Sequence, residues 1–166
     1  MAQIVIADAS PLIILAHVEG LGWLQSLFGQ VWITSVVRDE ILPGTGKPGE
    51  QLIRAAIESG TLRVFEQSRE TPVFPTLDEG EASCIRAALA HPDDKCLLLM
   101  DERLGRAIAG EQGVPVVGAA GVIGMAKMRG LIPSASEVFE RLLKTDFRIA
   151  HDVIRGVLKG VGEWQD

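Results

Sequence analysis

Two apolar runs in this sequence end in an aspartate: QIVIA at Gln3–Ala7 leads into Asp8, and CLLLM at Cys96–Met100 leads into Asp101. Each run is strand-sized and apolar enough for a strand buried on both faces. In open α/β sheets, ligands bind outside the carboxyl ends of the strands, so both side chains stand where chemistry is usually placed. The plainer role of a single such aspartate is to cap the next helix; two on separate strands weaken that reading. Two glutamates add to the pattern. Glu40 follows Val36 and Val37 by four and three residues, and Glu81 precedes Cys84, Ile85 and Ala88 by three, four and seven. Both are therefore expected on apolar helical stripes. A carboxylate there is costly to ionise unless it is paired or binds a metal, or unless it sits at the stripe edge and reaches water. Neighbouring Asp39, Asp78 and Glu79 read as solvated.

If Asp8, Glu40, Glu81 and Asp101 converge, two of them about 5 Å apart repel by roughly 3 kcal/mol at an effective dielectric of 20. They would then raise each other's pKa and take up protons. A hard divalent cation removes the conflict, and all-oxygen ligation suits Mg²⁺ or Mn²⁺. Such ions stabilise charge on a phosphoryl oxygen and activate water for attack.

Positioning these groups requires short strands alternating with helices. Ser10-Pro11 reads as a helix start, a hydroxyl cap followed by proline, for a buried helix over Pro11–Val18. Leu21–Phe28 is a second short helix, Val31–Ile33 a strand, and Thr34 or Ser35 caps a helix through Leu42. A loop at Pro43–Gly49, a helix at Glu50–Ser59, a strand at Leu62–Phe65 and a helix at Asp78–Ala90 follow. Beyond the Cys96–Met100 strand come a helix at Leu104–Glu111, a strand at Val114–Val117 and a helix at Ala119–Arg129. From about residue 133 the chain is helical, with Ser134 and Glu137 spaced as a capping box. The alternation implies a parallel sheet covered on both sides.

A length of 166 residues fits one domain, with the helices from about 133 packed on it. No apolar run reaches the roughly 18 residues that span a bilayer, and the first residues read as a strand and not a signal peptide. Cys84 and Cys96 are expected to be buried thiols of a cytoplasmic protein, and the three histidines show no zinc-ligand spacing. The net charge of −6 alone argues against a nucleic-acid partner. Setting aside the four proposed ligands reduces it to −2. Arg103 and Arg106, just past Asp101, are candidate phosphate contacts, although ordinary exposed helix positions would serve them equally well. With no tyrosine and no stacking pattern among three Trp and five Phe, sequence-specific base reading is not visible.

The chain resembles PIN-domain ribonucleases, and among them a PIN-like prokaryotic subgroup. The resemblance is carried by DASPLIILA at Asp8–Ala16, WITSVVRDEIL at Trp32–Leu42, LDEGEASCIRAAL at Leu77–Leu89 and LLLMDERLGRAIA at Leu97–Ala109. It extends through VPVVGAAGVIGMAKMRGLIP to about Phe147. It implies a three-layer α/β/α sandwich with a central, mostly parallel sheet. It also implies an acidic pocket of Asp8, Glu40, Glu81 and Asp101 holding Mg²⁺ or Mn²⁺, with Ser10 as the small hydroxyl residue that hydrogen-bonds the first aspartate. The implied activity is metal-dependent endonucleolytic cleavage of single-stranded RNA. Many such proteins are the toxin of a toxin–antitoxin pair, with an antitoxin protein as partner, and form homodimers. Two positions depart from the usual toxin pattern: Glu81 stands where aspartate is common, and Glu102-Arg103 follows Asp101, with Glu102 either a fifth ligand or solvent-facing.

Two other functions fit parts of the sequence. A non-catalytic PIN-like module would keep the acids and use them to dock RNA or protein. A phosphoacceptor signalling domain also places an aspartate at a strand end, but it expects a lysine after a late strand, where Gly118 stands. Gly44–Gly49 matches GxGxxG literally, yet it follows a helix and contains Pro48, so a dinucleotide or P-loop role is rejected. No GxSxG elbow is present, and Ser10 has no evident histidine partner.

Overall fold

Val5, Ile6 and Ala7 are fully buried, which requires β1 (Gln3–Ala7) to lie inside the sheet with cover on both faces. A computed structural model describes residues 3–46 and 49–165 and shows this arrangement. β1 pairs in parallel with β2 (Val31–Thr34) on one side and β4 (Lys95–Leu99) on the other. β3 (Leu62–Phe65) extends the sheet beyond β2, and β5 (Val116–Val117) beyond β4. The order β3-β2-β1-β4-β5 means that the chain builds outward from β1 in one direction, then crosses back and builds in the other. The reversal falls between β1 and β4, where a crevice must open at the strands' carboxyl ends.

α5 (Glu79–Leu89) packs across β1, β2 and β4, with α6 (Arg103–Glu111) beside it. Its sheet-facing stripe includes Cys84, whose thiol donates to the carbonyl of Ala7 at 3.7 Å, and Ala88. The other layer holds α1 (Ala9–His17), α2 (Leu21–Phe28) and α7 (Ala119–Met128), with α8 (Ala135–Leu143) and α9 (His151–Gly160) packed on α7. α3 (Ser35–Ile41) touches α1 and α5, and α4 (Glu50–Glu58) touches α1, α2 and β3. The architecture is the expected α/β/α sandwich, and its sheet is parallel throughout.

The differences from expectation lie at element ends. α1 begins at Ala9, with Asp8 and not Ser10 at the cap position, so Pro11 falls inside the first turn, where a missing N–H costs nothing. β4 ends at Leu99, α6 begins at Arg103, and β5 is two residues long. The capping box of α8 is half as expected: Ser134 Oγ accepts from the Glu137 N–H at 3.2 Å, but the returning carboxylate is Glu163. Glu163 accepts from Ser134 Oγ, Ala135 N–H and Ser136 N–H, tying the end of α9 to the start of α8. In the Pro43–Gly49 loop, buried Glu50 accepts the N–H groups of Gly44 and Gly46; Lys47 and Pro48 lie outside the described residues. Among the described residues no single helix is long and apolar enough to cross a membrane.

Candidate active site

The pairing of β1 with β4 puts Ala7 opposite Leu99, and the Asp8 N–H donates to the Leu99 carbonyl at 2.9 Å. Asp8 and Asp101 therefore emerge from adjacent strands at the reversal. Asp8 is only 4% exposed. Burial, reinforced by the charges of Asp78, Glu40 and Asp101 and partly offset by the Ala9 N–H, pushes its carboxyl up to about 6. Asp101 is half-buried; its Oδ1 accepts from the Ala119 N–H at the start of α7, at 2.9 Å. Its Oδ2 is buried and has no hydrogen-bond partner among the described residues. Burial raises its pKa, against the lowering effects of the Ala119 bond and nearby Arg106.

Gly80, in the first turn of α5, explains how the other acids approach. A Cβ there would lie 2.6 Å from Glu40 Oε2, 3.4 Å from Asp78 Oδ1 and 3.5 Å from Asp8 Oδ1. Three carboxylates thus close around a notch that only glycine leaves open. Glu40 is exposed, so of the two positions its spacing allows it takes the stripe edge and not the buried face of Val37, and it reaches across to α5. Burial and then the Asp78 charge raise its pKa. Glu81 is buried as its stripe requires, with Oε2 3.6 Å from the Cβ position of Gly105 in α6. Burial, then the charges of Asp78, Asp8 and Glu102, push it up to about 7.

Asp78, which the sequence groups with the solvated acids, has a larger part. It is exposed, yet it caps α5 by accepting the Glu81 N–H at 2.8 Å, and its charge bears on Asp8, Glu40 and Glu81. The sequence does carry a signal for it: Asp78 and Glu81 have the spacing of a capping box. Asp39 and Glu79 are exposed and pair with Arg38 and Arg86. Ser10 lies in the first turn of α1, and Glu102 is exposed at the cap position of α6.

α3 and α5, which carry Glu40 and Gly80, are joined by a buried hydroxyl relay. Thr34 Oγ1 accepts the Val37 N–H at 3.1 Å, and Ser83 Oγ donates to the Gly80 carbonyl at 2.7 Å. Ser83 has only one hydroxyl proton, so Thr34 must donate in the 2.7 Å bond between the two hydroxyls. A stacking pattern invisible in the sequence also appears, with Trp32 on Phe65 at 4.6 Å and Phe65 on His91 at 5.5 Å. These rings come from β2, β3 and the connection between α5 and β4.

A family model described as a PIN domain matches residues 4–163. The chain belongs to the PIN-domain family. Compared with curated proteins, no match is found. A PIN domain is a nuclease-type fold, and in this one the acids gather at the strand reversal. Among the described residues no three of them stand close enough together to form a ready-made metal centre. Their chemistry nonetheless fits a hard divalent ion. All donors are carboxylate oxygens, one buried oxygen lacks a partner among the described residues, and burial, reinforced by neighbouring acids, raises four pKa values.

Proposed function

We propose that this PIN domain is a metal-dependent endoribonuclease that cleaves single-stranded RNA at the crevice between β1 and β4. The observation that carries the reading is the placement of Asp8 and Asp101 on adjacent strand ends, with Asp101 Oδ2 buried and partnerless among the described residues. Asp8, Asp101, Glu40 and Glu81 are the proposed holders of Mg²⁺ or Mn²⁺, with Asp78 beside them. When bound, the ion supplies Lewis-acid stabilisation of phosphoryl charge and a more acidic water. Asp8 and Asp101 are proposed to hold the ion directly, and Glu40 and Glu81 to complete the shell, one of them through water or as base for the attacking water. Arg103 and Arg106 are the proposed phosphate contacts, and Ser10 and Glu102 support the site. Family membership further motivates a toxin role with an antitoxin partner, a homodimer and a cytoplasmic location; the neighbouring reading frame is the direct check on the first.

Replacing Asp8 with Asn is expected to abolish cleavage of single-stranded RNA while the circular dichroism spectrum stays unchanged. Undiminished cleavage by that variant ends the proposal. A second reading, a non-catalytic module that docks RNA or protein, is favoured by the open spacing of the acids among the described residues. Metal titration in the presence of a short RNA separates the two, since metal binding without turnover supports the module.

A further inference from the structure

Beside the acid crevice runs a groove of about 700 Å³ between α6, β5, α7 and the segment leading into α9. Asp101 is among the residues that line it. Three guanidiniums line it: Arg103 and Arg106, one turn apart on α6, and Arg148 from the connection between α8 and α9. Among the described residues none of the three forms an ion pair or hydrogen bond with a carboxylate. The remaining wall is apolar and includes Val116, Ile149 and Val153, the last 46% exposed. At Gly118 a Cβ would meet Asp101 Oδ1 at 2.6 Å and Arg106 Nη1 at 3.1 Å, so a side chain there would press on the junction of crevice and groove.

We propose that this groove binds the nucleotide adjoining the bond that is cut, with its phosphate on Arg103, Arg106 and Arg148 and its base and sugar against Val116, Ile149 and Val153. The proposal rests on the endoribonuclease reading and adds to it a substrate-binding residue, Arg148, that lies far in sequence from Asp8, Glu40, Glu81 and Asp101. Charge selects the occupant. In a chain of net charge −6, three guanidiniums line one groove, none of them in an ion pair among the described residues although Arg106 acts on Asp101 through its charge, and arginine's fork suits phosphate oxygens. The volume falls within the roughly 300–1,000 Å³ of small-ligand sites, and a positively charged groove that tracks the backbone is how single strands are held without reading sequence. Continuity with Asp101 fixes which nucleotide this is.

The test measures binding of a labelled, phosphorothioate-linked single-stranded oligouridylate to the full chain in Mg²⁺ by fluorescence anisotropy. Arg148→Glu is expected to weaken binding about tenfold or more, and the salt slope should fall by about 0.7, the share of one phosphate that is no longer neutralised. Val153→Glu, which places a carboxylate in the groove, is expected to act in the same direction. Arg141→Glu, at an exposed position of α8, changes net charge equally and is expected to leave affinity within about twofold, because screening removes distant charges. Equal affinity of Arg148→Glu and the unaltered chain overturns the proposal, as does equal weakening by Arg141→Glu. A groove that serves an acidic peptide would give that first result. If RNA binds with this Arg148 dependence but an unmodified RNA is never cut, the groove stands and the nuclease reading fails.

Discussion

The Ala119 N–H holds Asp101 Oδ1 at 2.9 Å, while Oδ2 of the same carboxylate is buried without a partner among the described residues. One oxygen is fixed by the start of α7, and the other is the one the proposed ion would take. Asp101→Asn keeps the shape and the Ala119 bond but removes the buried charge. Cleavage is expected to fall at least about a hundredfold, and stabilisation by added Mg²⁺ should disappear. Without metal, the variant is expected to unfold within about 1 kcal/mol of the parent, because the charge it removes was itself costly to bury. Thermal melts with and without Mg²⁺ check this, and a variant still stabilised by Mg²⁺ as strongly as the parent contradicts it.

Gly80→Ala tests the notch. The added Cβ would stand 2.6 Å from Glu40 Oε2, closer than such atoms approach, so Glu40 must swing away. Alanine is the better helix former by about 1 kcal/mol, so the fold is expected to gain or hold stability. Mg²⁺ affinity, followed by calorimetry, is expected to drop about tenfold, which is the cost of displacing one carboxylate from a hard-ion site. Unchanged Mg²⁺ affinity would show that Glu40 is no ligand.

The raised acids also set a pH dependence. Asp8 and Glu81 have folded values of about 6 and about 7, above the ordinary 3.8 and 4.5. Between those limits the folded chain holds more protons than the unfolded one, so stability falls as pH rises. The contribution is complete below about pH 4 and gone above about pH 7. In metal-free buffer the melting temperature is therefore expected to decline across that interval. A divalent ion competes with those protons, so Mg²⁺ should raise the melting temperature more at about pH 8 than at about pH 5. A metal-free melting temperature that rises through the interval contradicts the site's electrostatics.

Much of this arrangement is legible in the chain. Asp8 and Asp101 each end an apolar run, and strand pairing is the only added requirement for bringing them together. Glu81 is readable from its stripe, and Glu40 only in part. A residue three positions from Val37 can lie on the core face or at its edge, and contact with α5 across Gly80 decides which. Asp78 carries a capping signal that looks purely local until α5 is set against β1. Arg148 and the Trp32–Phe65–His91 stack have no local signal, because their neighbours are supplied by distant elements. Side chains whose role is fixed by their own helix or strand can be read from spacing; those whose role is fixed by packing between elements cannot.

The Thr34–Ser83 relay makes the remaining prediction. It is a buried polar tie between the end of β2 and α5, and each hydroxyl in it both accepts and donates. Ser83→Ala strands the Thr34 hydroxyl proton, while the Gly80 carbonyl keeps its place in the α5 backbone ladder, and leaving one buried polar group unmet costs about 1–3 kcal/mol. Thr34→Val removes in addition the hydroxyl that caps α3, worth about 0.5–2 kcal/mol. Because the two hydroxyls share one bond, the double variant is expected to be destabilised by less than the sum of the two single effects. Urea denaturation of the four proteins gives that coupling directly. Glu40 and Gly80 ride on the two helices that the relay joins, so Mg²⁺ affinity is expected to weaken severalfold in Ser83→Ala although neither hydroxyl belongs to the proposed ligand set. A Ser83→Ala protein as stable as the parent would mean that the relay is not made in solution, and additive effects would mean that its two bonds act independently.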